Sequence, residues 1–196
     1  MKKILLLTTC LMGLGIPAFS QDKAKGELNI TFSKGGNEIL RSQLEGAGSY
    51  SGGGFYGFGL SYLKPLNNWL DVEAGVNYQE YRIKSASAFD PDRGRSITKS
   101  NLHLVSIPLT VRANFLKHFF VNAGAVAEFE TSTSSIDDQS GIGAMAGIGV
   151  KFNFTPKISA FVNPMLQQHA IIPFRPVDYQ QRMLDAGVRL GIGMKL

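Results

Sequence analysis

The sequence predicts an all-β fold, an eight-stranded antiparallel up-and-down transmembrane β-barrel, on three observations. Eight segments alternate apolar and polar residues at a length that spans a bilayer, an export signal precedes them, and the connections between them are alternately short and long. The final segment is the clearest. From Ala186 to Leu196 every even position is apolar and every odd position is Gly or charged, and a strand sends successive side chains to opposite faces. One face is therefore greasy and the other small or polar. In lipid a sheet has to satisfy all its backbone groups, which an open edge cannot do and a closed ring can.

The first residues read as an export signal. Lys2 and Lys3 precede an apolar run from Ile4 to Ile16, and Ala18-Phe19-Ser20 supplies small residues at cleavage spacing. Residues 1–20 are expected to be a signal peptide and 21–196 the outer-membrane barrel domain. The run is too short for a helical span, and no later window is apolar enough for one. The single cysteine, Cys10, falls inside the signal, so no disulfide is expected after cleavage. The formal charge of +5 falls to +3 (5 − 2) when Lys2 and Lys3 leave. That mild excess contains no basic run, so no nucleic-acid partner is expected.

The strands follow in order. Strand one is read at Glu27 to Ser33, with Leu28, Ile30 and Phe32 outward. Strand two, Gly54 to Leu63, turns Tyr56, Phe58, Leu60 and Tyr62 outward. Strand three starts near Trp69 and turns Leu70, Val72, Ala74, Val76 and Tyr78 outward. Strand four, Leu102 to Phe115, presents Val105, Ile107, Leu109 and Val111, and strand five, Phe119 to Glu130, presents Phe119, Val121, Ala123 and Phe129. Strand six (Ile142 to Phe154), strand seven (Lys157 to Gln167) and strand eight (Asp185 to Leu196) complete the set. The short turns are Lys64 to Asn68, Leu116 to His118 and Thr155-Pro156. The long loops are Lys34 to Gly53, Ser85 to Asn101, Thr131 to Gly141 and Gln168 to Gln181. Outer-membrane barrels keep short turns in the periplasm, which places both termini there.

The inward parity mixes glycines with Glu73, Asn77, Arg112, Asn114, Asn122, Glu128, Lys151, Asn163 and Arg189. Eight strands leave room only for side chains, so this set predicts a filled lumen. Buried charges persist only when paired, so Arg112 and Arg189 are expected to meet Glu73 or Glu128. Aromatics are expected in two girdles: Tyr62, Phe115, Phe119, Phe152 and Phe154 near the short turns, and Phe32, Tyr56, Tyr78 and Phe129 near the long loops. Pro108 and Pro164 sit inside strands, where bulges would absorb the lost hydrogen bonds. Glu80 and Arg82 have outward parity, which implies that strands three and four project beyond the membrane.

Strand four, Leu104-Val105-Ser106-Ile107-Pro108-Leu109-Thr110-Val111-Arg112-Ala113-Asn114-Phe115, resembles the Ile-Pro-Leu strand of Bacteroidetes outer-membrane β-barrel proteins, the broad PorT-like (porin family) group. Phe19-Ser20-Gln21 resembles signals of that Gram-negative phylum. The resemblance implies the same barrel over the mature chain and makes Pro108 a family feature. Through PorT it implies an accessory part in type IX protein secretion. Ser106 stands where that group usually carries an acid.

Catalytic chemistry is not expected. A lipid hydrolase needs a serine beside a base, yet Ser106 has the opposite parity to His103, and His118 lies in a short turn. Asp90, Asp92 and Glu80 have nothing to fix them beside His103. With His169 the chain has three histidines, and no pair has metal-ligand spacing. Gly52 to Gly54 lacks the Lys-Ser/Thr of a phosphate loop. No catalytic, cofactor or metal residues are assigned. The apolar, proline-stiffened stretch Ile171 to Val177 is read either as a partner surface or, the preferred alternative, as a lid folded over the barrel mouth. The function expected is a small non-enzymatic outer-membrane barrel with a structural or surface-interaction role; the alternatives are a secretion accessory and, last, a lipid-modifying enzyme. The expected partners are outer-membrane lipid and lipopolysaccharide, the barrel-assembly machinery, and a protein reached through the extracellular loops.

Overall fold

The computed structural model describes residues 26–40, 49–87, 96–132, 136–175 and 181–196. The signal segment, with Cys10 and the cleavage site, lies outside them. The strands are β1 (Glu27–Leu40), β2 (Ser49–Pro65), β3 (Leu70–Ala86), β4 (Ile97–Phe115), β5 (Phe119–Glu130), β6 (Gly141–Asn153), β7 (Ile158–Pro173) and β8 (Arg182–Lys195). Each pairs antiparallel with its chain neighbour, and β8 pairs with β1 to close the barrel.

The register fixes the shape. Cross-strand partners lead from Phe32 through Phe58, Tyr78 and Val105 to Phe129 on β5. The other way round they lead through Leu190, Val162 and Val150 to Phe119. The two arrivals are ten residues apart (129 − 119). That stagger, shared among the strands, tilts them by about 40°, so each residue climbs about 2.5 Å along the barrel axis.

Alternation then sorts the faces. Ile30, Phe58, Leu60, Val76, Leu109, Ile148 and Ile192 are each more than half exposed, whereas Glu27, Glu73, Arg112, Glu128 and Arg189 are buried. Apolar outside and charged inside is the arrangement that lipid selects. On β4 the outward residues stay apolar from Phe115 to Val105, a rise of about 25 Å and the height of a barrel's apolar band. Tyr62, Phe115, Phe119 and Phe152 mark one edge of it, and Tyr56, Tyr78 and Phe129 the other. Phe32, expected in the upper girdle, sits mid-wall instead. The stagger carries its row up to Phe129 one way and down to Phe119 the other.

Three sequence expectations change. First, the ladders extend well into the expected long loops: β1 runs on to Leu40, β4 begins at Ile97 and β7 continues to Pro173. Above the lipid, either face of a strand tolerates water, so the polarity that suggested loop does not end the pairing. Second, Pro108 and Pro164 make no bulges. Pairing skips Ile107–Pro108 between Ala74↔Leu109 and Asn77↔Ser106, and skips Asn163–Pro164 between Gly147↔Met165 and Val150↔Val162, then resumes in the same register. A proline lacks only a donor, whereas a bulge needs an extra residue. Third, the register shifts stand elsewhere, between Gly52 and Phe55 on β2 and opposite Ile142–Ala144 on β7. At the first, Gly54 takes φ 91° and its N–H donates to Asn37 Oδ1 at 2.8 Å. The left-handed backbone there suits glycine.

Candidate functional site

The lumen is filled in layers from the short-turn end upward. At the short-turn mouth is a bowl of about 300 Å³ lined by Glu27, Asp71, Asn114, Lys151 and Lys195, among others. Glu27 accepts from Lys151 Nζ at 2.7 Å and from Ser159 Oγ at 2.8 Å.

The next layer closes the bowl. Glu73 meets Arg112 Nη2 at 2.6 Å and Arg189 Nη1 at 3.2 Å. The Arg112 guanidinium lies 4.2 Å from the Phe120 ring centroid and 5.0 Å from that of Phe161. Two aromatic faces thus take up a cation whose Nε and Nη1 have no polar partner among the described residues. Of the two acids expected to meet the arginines, Glu73 takes both; Glu128 is engaged elsewhere. The inward glycines make room for these rings as well as for polar chains. A Cβ on Gly149 would come within 2.3 Å of Phe120, and one on Gly191 within 2.3 Å of Phe161.

Above this, Asn163 Nδ2 donates to Asn122 Oδ1 at 3.0 Å, and Ser106 Oγ to Gln79 Oε1 at 3.1 Å. Higher still, fully buried His169 sits between two carboxylates. Its Nε2 is 2.9 Å from Asp185 Oδ2, and its Nδ1 is 2.6 Å from Glu128 Oε1, an ion-pair approach that lies off the N–H line. Tyr81 donates to the same Asp185 oxygen at 2.8 Å, and Gln167 to Glu128 at 2.7 Å. Sequence reasoning placed His169 in a loop and assigned it no partner. The usable signals were parity: Asp185 belongs to the inward odd series of β8, and His169 continues that of β7 past Gln167. Replacing His169 with Gln keeps a polar side chain but cannot serve both carboxylates. The expected cost is about 1–3 kcal/mol, read by urea titration of the folded barrel. An unchanged midpoint would show that the ring carries no such bridge.

An apolar plug fills the lumen above. Ile39, Phe55, Ile83, Leu102, Leu104, Val126, Met145, Met165 and Met183 pack together, with Ile136 among them from the segment after β5. Gln139 caps it, donating to Gln181 O at 2.9 Å and accepting from Met183 N at 3.2 Å. Among the described residues the lid is therefore formed by Ile136 to Ser140, and Ile171 to Arg175 do not cover the mouth. Ile136 is the apolar residue of an otherwise polar stretch and enters the mouth. Ile171, Ile172 and Phe174 are exposed, and Phe174 rests on Phe129 with centroids 5.7 Å apart. Pro176 and Val177 lie outside the described residues.

The histidine and serine weighed for catalysis are kept apart. Ser106 is buried in the lumen, while His103 is on the outer wall, stacked on Tyr78 with Nδ1 2.8 Å from its hydroxyl. His118 stacks on Phe152 beside the short turn. Asp90 and Asp92 lie outside the described residues. Among the described residues no cluster of His, Cys, Asp or Glu is placed to hold a metal.

A model of the outer membrane protein beta-barrel domain matches residues 6–163. The chain belongs to that family. As a member of it, the protein is a small barrel of the outer membrane. Its fold is similar to that of OprG from Pseudomonas aeruginosa, with a TM-score of 0.53, 11% identity, and coverage of 89% of this chain and 97% of that one. Looser likenesses are to AlkL (TM-score 0.47, 11% identity, 93% and 96% covered) and to Ail, the attachment invasion locus protein of Yersinia pestis (TM-score 0.40, 14% identity, 88% and 99% covered). No curated protein sequence matches the chain.

The outer wall of this outer-membrane barrel changes character above Tyr56 and Tyr78. Glu80, outward on β3, accepts from the Tyr56 hydroxyl at 2.5 Å and from Asn101 Nδ2 at 3.4 Å. Beyond it Arg82, Lys84 and Lys99 are exposed. Strands β3 and β4 thus project past the apolar band, as the outward charges implied.

Proposed function

We propose that this barrel is non-enzymatic and works from its long-loop rim rather than through its lumen, as a structural or surface-interaction protein. The observation that carries the reading is the succession of buried layers, among the described residues, from Glu73–Arg112–Arg189 to the apolar plug. A barrel closed by charges, rings and methionines offers partners only its wall and its ends. The short turns and both termini then face the periplasm and the extended strands face outward, in the arrangement usual for such barrels. Lipopolysaccharide and a protein partner meet the rim, and the barrel-assembly machinery inserts the chain.

Planar-bilayer recordings of the purified barrel are expected to show no stable, porin-like conductance. Large, long-lived open steps would overturn the reading. A second reading is favoured by the Ile107-Pro108-Leu109 strand: membership of the Bacteroidetes PorT-like group, with an accessory part in protein secretion. Co-purification of secretion components with the tagged barrel from native membranes would favour it over a free-standing role. An altered lipid A mass spectrum in a deletion strain would instead point to lipid modification.

A further inference from the structure

The glycine run that fails as a phosphate loop shapes a different feature. Gly53 and Gly54 stand together opposite the single residue Arg82, because the register shifts between Gly52 and Phe55. The result is a stretch of outer wall without side chains. A Cβ on Gly53 would press on the Arg82 Cβ at 3.0 Å. Two adjoining grooves open there, of about 350 Å³ and 400 Å³, sharing Gly53 and Arg82. The first is lined also by Lys34 and Tyr56, the second by Lys84 and Lys99.

The charges lining the two grooves, Lys34, Arg82, Lys84 and Lys99, are of one sign. Lys84 and Lys99 are direct cross-strand partners, a like-charge juxtaposition that destabilises a sheet unless an anion lies between. Glu80, the acid on the same face, is engaged by Tyr56 and Asn101. Height discriminates between anions. Lys34 is paired with Tyr56 at the girdle. Arg82 lies four residues beyond Tyr78 (82 − 78), and Lys84 and Lys99 lie six beyond Tyr78 and Val105 (84 − 78, 105 − 99). At about 2.5 Å per residue they stand about 10–15 Å above that row. A phospholipid headgroup layer is only about 5–7 Å deep. A phosphorylated sugar headgroup reaches the whole column.

We propose that Lys34, Arg82, Lys84 and Lys99, around the floor made by Gly53 and Gly54, form a docking site for the phosphorylated disaccharide head of a lipid A-type glycolipid. The proposal rests on the reading that the long-loop rim faces outward. Binding in detergent micelles does not depend on orientation, and labelling of a cysteine introduced at the rim of whole cells tests orientation by itself, so the two can fail separately.

The experiment measures binding of diphosphoryl lipid A to the purified full barrel in micelles, for the native chain, for Arg82→Gln/Lys84→Gln/Lys99→Gln, and for Lys64→Gln at the opposite girdle. Heat-modifiable gel mobility verifies that each barrel is closed. The triple variant is expected to bind at least about tenfold more weakly and Lys64→Gln like the native chain, because each charge-assisted contact to a phosphate oxygen is lost only in the former. Dephosphorylated lipid A and phosphatidylglycerol are expected to bind at least about tenfold more weakly to the native barrel. Equal binding by the triple variant overturns the site. Equal binding of phosphatidylglycerol or inorganic phosphate overturns the glycolipid assignment.

Discussion

Glu73→Gln is expected to destabilise the folded barrel by about 3–5 kcal/mol, the cost of breaking a buried ion pair from one side. Glu73 is 1% exposed and is the carboxylate shared by Arg112, which is fully buried, and Arg189, which is 3% exposed. Without it, two guanidiniums are left together, Arg112 against the Phe120 and Phe161 rings and Arg189 against Phe161, and the rings offer a cation only their π faces. Glu73→Gln/Arg189→Met removes the acid and one of the two cations together. It is expected to lose clearly less than the sum of the single changes, because residues of one network are coupled. The measurement is urea titration in liposomes, followed by fluorescence of the single tryptophan, Trp69. A loss under about 1 kcal/mol for Glu73→Gln would mean that water reaches the arginines and that the lumen is not sealed at this layer.

Ile148→Arg is expected to cost about 2–4 kcal/mol, and Asn153→Arg much less. Ile148 is 53% exposed on the outer wall of β6, inside the apolar band, where a guanidinium has to snorkel or draw water into the lipid. Asn153 belongs to the same strand with the opposite parity and lines the bowl at the short-turn mouth. A longer cation there reaches water. Gly149 is unsuitable as the control, since a side chain would strike Phe120. Parallel urea titrations in liposomes decide between the two faces. Equal losses, or a greater loss for Asn153→Arg, would reverse the face assignment of β6.

Parity was legible because the bilayer imposes it on each strand separately. Ile192 must face lipid and Gly193 the lumen whatever the rest of the chain does, so the sequence by itself determined the ring of eight strands, the two faces, and that Arg112 and Arg189 need an inward acid, Glu73 or Glu128; the register chose Glu73. β5 even has the ends read from sequence, Phe119 and Glu130. Above the lipid that constraint lapses, and there the reading shortened β1 and β7 and placed the lid on Ile171 to Val177. What only the tertiary structure decided is what depends on register between distant strands. The stagger of ten residues sets Phe32 at mid-wall and brings His169 between Asp185 of β8 and Glu128 of β5, while the register of the β3–β4 hairpin sets Lys84 opposite Lys99 beside a glycine floor. Parity states which way a side chain points, whereas its partner depends on how far each strand has slid along the next, a sum of turns and bulges around the whole closed ring.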